Sequence, residues 1–252
     1  MVRRVRLYER CRTNASEWYR WVFDNGMSGL PATARILDVG CGCGIFWLKN
    51  ADRVPKGWDI ALADISRDMA SCAKRVTNAI GRKASVLTFD IADIQFPDAA
   101  FDVVLATHVL HRTRELPRAL KEIRRVLKPD GRFCTAAGTV ARLKNIAALG
   151  FSCEPAILDL VEEGTDAGFT AENGREMLLK SFRDVRETPY HDSLAFENAD
   201  DLLAYLHSTS GVALHRQDAY AHLRLRVAID QFISQAGAFR LVTDNRLFLA
   251  KP

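Results

Sequence analysis

The stretch Arg35-Ile-Leu-Asp-Val-Gly-Cys-Gly-Cys-Gly44 constrains the fold more than any other part of the chain. An apolar run that breaks into Gly40, Gly42 and Gly44 reads as a buried strand entering a tight turn. Glycine admits positive φ and leaves no Cβ between main chain and ligand. A bound molecule can therefore lie against the backbone at the carboxyl end of the strand, where open α/β sheets hold their ligands. The spacing is Asp-x-Gly-x-Gly-x-Gly. The dinucleotide pattern Gly-x-Gly-x-x-Gly would put its third glycine where Ile45 stands. Asp38, two residues before the first glycine, is expected to face the crevice, and it suits a cationic group better than a pyrophosphate. The alternative is an ordinary glycine-rich strand-to-helix turn, since such motifs recur in unrelated α/β folds.

Downstream, apolar strands alternate with helical patterns. Strands are expected over 58–63, 84–88, 101–106 and 132–136, and helices over 45–50 and 115–127. That rhythm indicates an α/β chain with a doubly wound, mostly parallel sheet. Asp64 closes the second strand about 20 positions beyond the glycine loop, where an acid accepts both hydroxyls of a ribose. The alternative, that Asp64 caps the next helix, is weaker because Ser66 is better placed for it. Met69 in that helix is placed to support an adenine. Asp90 follows the third strand and can accept from an adenine amino group, with Ile91 over the ring; the alternative is a plain turn residue. Thr107, His108 and His111 leave the carboxyl end of the fourth strand.

Outside this core the pattern loosens. Asn14 or Ser16 is expected to cap a helix carrying Trp18, Trp21 and Val22, which either packs on the domain or brings Tyr8, Arg12 or Trp18 over a ligand. Residues 139–181 are polar and helical, interrupted by Gly150, Gly164, Gly168 and Gly174, and read as a partial lid. A strand over 182–195, helices starting at Asn198 and over 217–236, and a strand over 239–250 that Asp244-Asn245 bulges or splits complete the chain. The expected segments are an N-terminal helical cap (1–34), a cofactor-binding core (35–138), the lid insertion (139–181) and a C-terminal part of the sheet (182–252) with a helical insertion over 197–236.

Composition narrows the function. With 252 residues, 48% of them hydrophobic, the chain can bury a substantial core. No run approaches the roughly 18 apolar residues of a membrane span, and the basic start lacks an apolar signal core, so a cytoplasmic location is expected. A net charge of +4 is too balanced to point to nucleic acid. The six cysteines are scattered with no Cys-x-x-Cys pair, so no metal site is expected. Cys41 and Cys43 flank a glycine in a turn that needs small residues, and are expected to pack.

Taken together, Asp38-Val-Gly-Cys-Gly-Cys-Gly44, Asp64, Asp90, Phe101-Asp-Val-Val, Leu110-His111 and Leu127-Lys-Pro-Asp-Gly131 resemble a class I S-adenosylmethionine-dependent methyltransferase. The likeness is to the type 11 branch that includes the ubiquinone/menaquinone C-methyltransferases, and it covers about residues 35–136. It implies a Rossmann-like sheet of seven strands with a partial helical lid. It also implies S-adenosyl-L-methionine as cofactor, leaving S-adenosyl-L-homocysteine. The implied cofactor contacts are Asp38, Gly40, Gly42, Gly44, Asp64, Ile65, Met69, Asp90, Ile91 and Thr107. The implied activity is methyl transfer to a small-molecule acceptor at an O, N or C atom. Non-methylating chemistry on the same cofactor, or cofactor binding without catalysis, are the alternatives. His111 and then His108 are the candidate general bases. Tyr8, Arg12, Trp18, Tyr190 and Tyr220 are candidate acceptor contacts.

Overall fold

The computed structural model describes residues 2–82, 84–141, 145–146, 168–209 and 219–252. The chain divides into two compact units, one of residues 16–138, 168–189 and 246–252, the other of residues 1–15, 139–167 and 190–245. This division falls within the expected 1–34 cap and 182–252 segment, and it groups 168–189 with 16–138. The expected lid lies largely outside the described residues.

The first unit is built on a seven-stranded sheet. Its strands are β1 (Arg35–Val39), β2 (Asp59–Ala63), β3 (Ala84–Leu87), β4 (Phe101–Thr107), β5 (Leu127–Gly138), β6 (Asp184–Tyr190) and, last in the chain, β9 (Asn245–Lys251). Their order in space is β3-β2-β1-β4-β5-β9-β6. The pairs β1/β2, β1/β4, β2/β3 and β4/β5 are parallel. Central strands covered on both faces read as near-continuous apolar runs. Accordingly Ile36, Leu37, Val103, Val104 and Leu105 are wholly buried. The chain reverses direction in order at β1, after which later strands add on its other side. That places a crevice outside the carboxyl ends of β1 and β4.

Helices supply the covering layers. The helix α4 (Arg67–Ala79) starts at Ser66, whose Oγ accepts from the Met69 N–H at 3.4 Å. The helix α5 (Leu116–Val126) buries Ala119, Leu120, Ile123 and Val126 on one face. Lys128-Pro-Asp-Gly131, expected to end that helix ahead of a separate strand, instead forms a bulge inside β5. Phe101 pairs with Leu127, and the next pair is Val103 with Arg132. The cap of α2 (Trp18–Gly26) also differs. Glu17 accepts from the Arg20 N–H at 2.9 Å, in place of Asn14 or Ser16.

The second unit holds α1 (Val2–Cys11), α6 (Ala199–Thr209) and α7 (Ala219–Ala236), with the antiparallel pair β7 (Ser193–Phe196) and β8 (Phe239–Val242). Its core gathers Leu7, Leu194, Phe196, Leu202, Leu225 and Leu241. The single strand expected over 182–195 is two, broken at His191-Asp192. The strand over 239–250 is also two, broken at Asp244. The breaks have one cause. The Asp192 carboxylate accepts backbone N–H groups from Asn14 and Ser193 at 3.0 and 2.8 Å, while its own N–H donates to Asp244 Oδ1 at 2.9 Å. Side chains that satisfy main-chain donors compete with the ladder.

Candidate cofactor and active site

The site is built where β1 ends. Gly40, Gly42 and Gly44 all have positive φ, at 68°, 55° and 73°. Gly40 is forced by its surroundings as well. A Cβ on Gly40 would lie 2.5 Å from Val109 Cγ2, so no side chain fits between the loop and the turn after β4. The Gly42 N–H donates to Asp64 Oδ2 at 2.9 Å, which ties the loop to the end of β2. The Cys41 N–H adds a bond to Ala63 O at 3.0 Å. The following helix α3 (Ile45–Lys49) has only five residues, so its dipole contributes little at the loop.

Asp64 is half-buried and accepts a second backbone donor, Ser66 N–H to Oδ1 at 2.9 Å. A carboxylate offers about four lone-pair positions. Each oxygen has spent one on the main chain and keeps one, a pair suited to a vicinal diol. With the Cβ-free loop beside it, this fits an adenosyl sulfonium cofactor. Exposed Ile65, 69% accessible, and half-buried Met69 give apolar surface next to Asp64. Asp90 is exposed and its Oδ1 accepts from the Ala92 N–H at 2.8 Å, the turn role, with Oδ2 beside it. Ile91, 9% exposed, packs in the apolar core with Phe89, Ala92 and Ile94. Arg125 secures the chain just beyond, donating to the carbonyls of Ile94 and Phe96 at 2.8 Å each.

Asp38 also differs from expectation. It does not open onto the crevice. The side chain is 2% exposed, and Oδ2 accepts the indole N–H of Trp47 at 2.8 Å. Burial pushes its carboxyl up to about 7, Trp47 opposes the rise, and the charge of Asp64 adds to it. The loop folds α3 back against β1, which brings Trp47 onto Asp38. Trp47 was missed because this contact depends on three successive left-handed glycines. The available signal was an indole, a donor needing a partner when buried, in a short apolar helix after an acid.

At the end of β4, Thr107 is half-buried and pairs with Ala136. His108 is exposed and has φ of 55°, a left-handed conformation costly for a side chain with Cβ. Its N–H donates to Ala136 O at 3.0 Å, and its ring lies 5.3 Å from Trp18, which stacks on Trp21 at 5.7 Å. Strain of this kind clusters at functional sites. His111 is exposed in the 3-10 turn Leu110–Arg112, and its Nε2 accepts from Arg112 Nε at 3.2 Å. To take a proton at Nε2, the ring must release that bond.

Of the acceptor candidates, Trp18 is brought to His108. The others belong to the second unit. There Tyr8 packs near Tyr205, ring to ring 6.1 Å, and Arg12 donates to the carbonyls of Asn14 and Ala15. Tyr190 is buried and Tyr220 is 75% exposed. No cluster of three or more His, Cys, Asp or Glu suited to a metal occurs among the described residues.

The sheet order, the glycine loop and Asp64 together define a class I methyltransferase fold. The family model of the methyltransferase domain matches residues 37–135 of this chain. It is 33% identical over 124 residues to a demethylmenaquinone methyltransferase of Symbiobacterium thermophilum, covering 48% of this chain and 49% of that protein. It is also 33% identical over 169 residues to a malonyl-[acyl-carrier protein] O-methyltransferase of Geobacter sulfurreducens, covering 63% and 61%. The chain thus spans about half to three fifths of the length of these relatives. Among solved structures, a provisionally named methyltransferase from Bacillus halodurans shares the fold with a TM-score of 0.66 and 14% identity, over 94% of this chain and 99% of that one.

Proposed function

We propose that the protein transfers a methyl group from S-adenosyl-L-methionine to a small-molecule acceptor, at an O, N or C atom, leaving S-adenosyl-L-homocysteine. The observation that carries this reading is Asp64. Its carboxylate is fixed by two backbone donors and keeps one acceptor position on each oxygen, beside a loop with no Cβ. Asp64 would hold the ribose, and Gly40, Gly42 and Gly44 would underlie the methionine end. Ile65, Met69 and Asp90 would border the adenine, with Ile91 beneath it, and Thr107 would line the approach to the reacting methyl. Asp38 would act from beneath the loop, as a buried charge favouring a cation above it.

The cofactor, when bound, supplies an already activated methyl group. The chain then has to place the acceptor in line and keep water out. Where the acceptor loses a proton, His111 takes it at Nε2 after releasing Arg112, and His108 stands second, held against Trp18. The named relatives act on different acceptors, a demethylmenaquinone and a malonyl-[acyl-carrier protein]. Acceptor choice is assigned to residues outside the shared 37–135 region. No helix among the described residues is long and apolar enough to cross a membrane. With its balanced charge, this supports a cytoplasmic enzyme acting on a metabolite rather than on nucleic acid.

The test is product mass spectrometry with methyl-labelled cofactor over a panel of quinols, phenols, amines and carboxylates. Label in an acceptor product supports the reading. Cofactor turnover with label in no acceptor overturns methyl transfer and favours other chemistry on the same cofactor.

A further inference from the structure

Cys43 was expected only to fill a turn, yet its surroundings are rich in sulfur. Its Sγ lies 3.7 Å from Met69 Sδ. The thiol of Cys72, two turns into α4, lies close enough to Cys43 for the two to perturb one another. The backbones are brought together at the neighbouring positions. A Cβ on Gly44 would sit 3.5 Å from Ala73 Cα, so the loop touches the helix one residue beyond each cysteine. Both cysteines are half-buried and neither is bridged. Cys41, by contrast, turns its Sγ to the Gly42 carbonyl, and Cys134 is wholly buried.

We infer that Cys43 and Cys72 form an oxidisable thiol pair, which closes to an intramolecular disulfide joining the glycine loop to α4. The oxidant is a small disulfide of the oxidised-glutathione class. One cysteine thiolate attacks a glutathione sulfur, expelling one glutathione thiolate and leaving a mixed disulfide. The second cysteine thiolate attacks the protein sulfur of that mixed disulfide and expels the other glutathione. Two protein thiols lose two electrons and two protons, and one glutathione disulfide becomes two thiols. Burial and Cys72 push the Cys43 thiol up to about 11, which lowers its thiolate fraction and leaves it the second attack, where proximity to the mixed disulfide compensates. Cys43 stands between Gly42 and Gly44, so the bridge restrains the loop to which the proposed function assigns the cofactor. That consequence rests on the proposed function, whereas the bridge itself does not.

The test treats the reduced full-length protein with oxidised glutathione, then maps peptides without reduction. The expected result is a Cys43–Cys72 cross-linked pair, lost in Cys43→Ser and in Cys72→Ser, each of which leaves a glutathione adduct on the remaining cysteine. Glutathione adducts alone on the wild type, or bridges through other cysteines, would overturn the inference. Calorimetry with S-adenosyl-L-homocysteine on oxidised and reduced protein reads the coupling. The affinity is expected to change by about fivefold or more. Equal affinities in the two states overturn the coupling and leave the bridge standing. Binding in neither state counts against the cofactor reading alone.

Discussion

Asp38→Asn is expected to make the ligand-free protein more stable above neutral pH. The Asp38 side chain is 2% exposed. Its carboxyl is raised from 3.8 to about 7 by burial, against the opposing bond from Trp47 and with the added charge of Asp64. The folded chain therefore keeps a proton that the unfolded chain has lost. Because the native state binds more protons in that window, stability falls as pH rises from about 4 to about 7 and is level above it. The whole shift corresponds to about 4 kcal/mol, and the part between about pH 5 and pH 7 to about 3 kcal/mol. Asparagine keeps an oxygen to accept the Trp47 N–H and cannot ionise. Urea melts of both proteins at about pH 5 and about pH 8 give the comparison. The difference in unfolding free energy should move towards the variant by about 3 kcal/mol between the two. The same variant should bind the cofactor more weakly, since the buried charge beneath the loop is gone. A difference that does not change with pH, or a variant less stable at the higher pH, would refute a desolvated Asp38.

Other perturbations test the surroundings. Trp47→Phe removes the donor from a buried carboxyl and should cost about 1–3 kcal/mol in denaturant melts, with the Asp38 carboxyl raised further by nuclear magnetic resonance titration. Gly40→Ala forces a positive φ of 68° on alanine and drives its Cβ to 2.5 Å from Val109 Cγ2. A loss of about 3 kcal/mol is expected, and adding Val109→Ala should restore only part of the packing loss, since the Val109 Cβ still lies 2.8 Å away, and none of the backbone part. His111→Gln should lower kcat on a proton-bearing acceptor by about 100-fold while leaving cofactor affinity unchanged; unchanged kcat would remove His111 as the base.

The core of the fold was legible because its signals are local. The run 35–39 breaks into glycines, Asp64 and Ser66 stand at the end of the next strand, and 116–126 shows one clean apolar face. The ribose role of Asp64 and the capping role of Ser66 separate on spacing alone. What was not legible depends on returns of the chain. Trp47 meets Asp38 only after the loop has folded back. Ile91 follows Asp90 directly, but whether it faces a ligand or the core depends on the packing of Phe89 and Ile94 against it. The strand at 184–196 alternates in the same way whether continuous or broken, whereas Asp244-Asn245 marks the split within 239–251. The breaks centre on Asp192, whose N–H donates to Asp244 Oδ1 and whose carbonyl accepts from the Thr243 N–H, each at 2.9 Å, across about fifty residues. Asn14 was a sound cap on composition, but its amide donates to His191 O at 2.8 Å, and the longer Glu17 caps α2 instead.

Asp64 as the ribose ligand is the centre of the proposed cofactor site. Calorimetric titration of the full-length protein with S-adenosyl-L-methionine measures it. The wild type should show saturable binding to one site, and Asp64→Ala should bind at least about 30-fold more weakly, the equivalent of two charge-assisted hydrogen bonds at about 1 kcal/mol or more each, with circular dichroism confirming that the variant is folded. Wild-type protein that does not bind the cofactor, or a folded Asp64→Ala that binds it equally well, would contradict the site described.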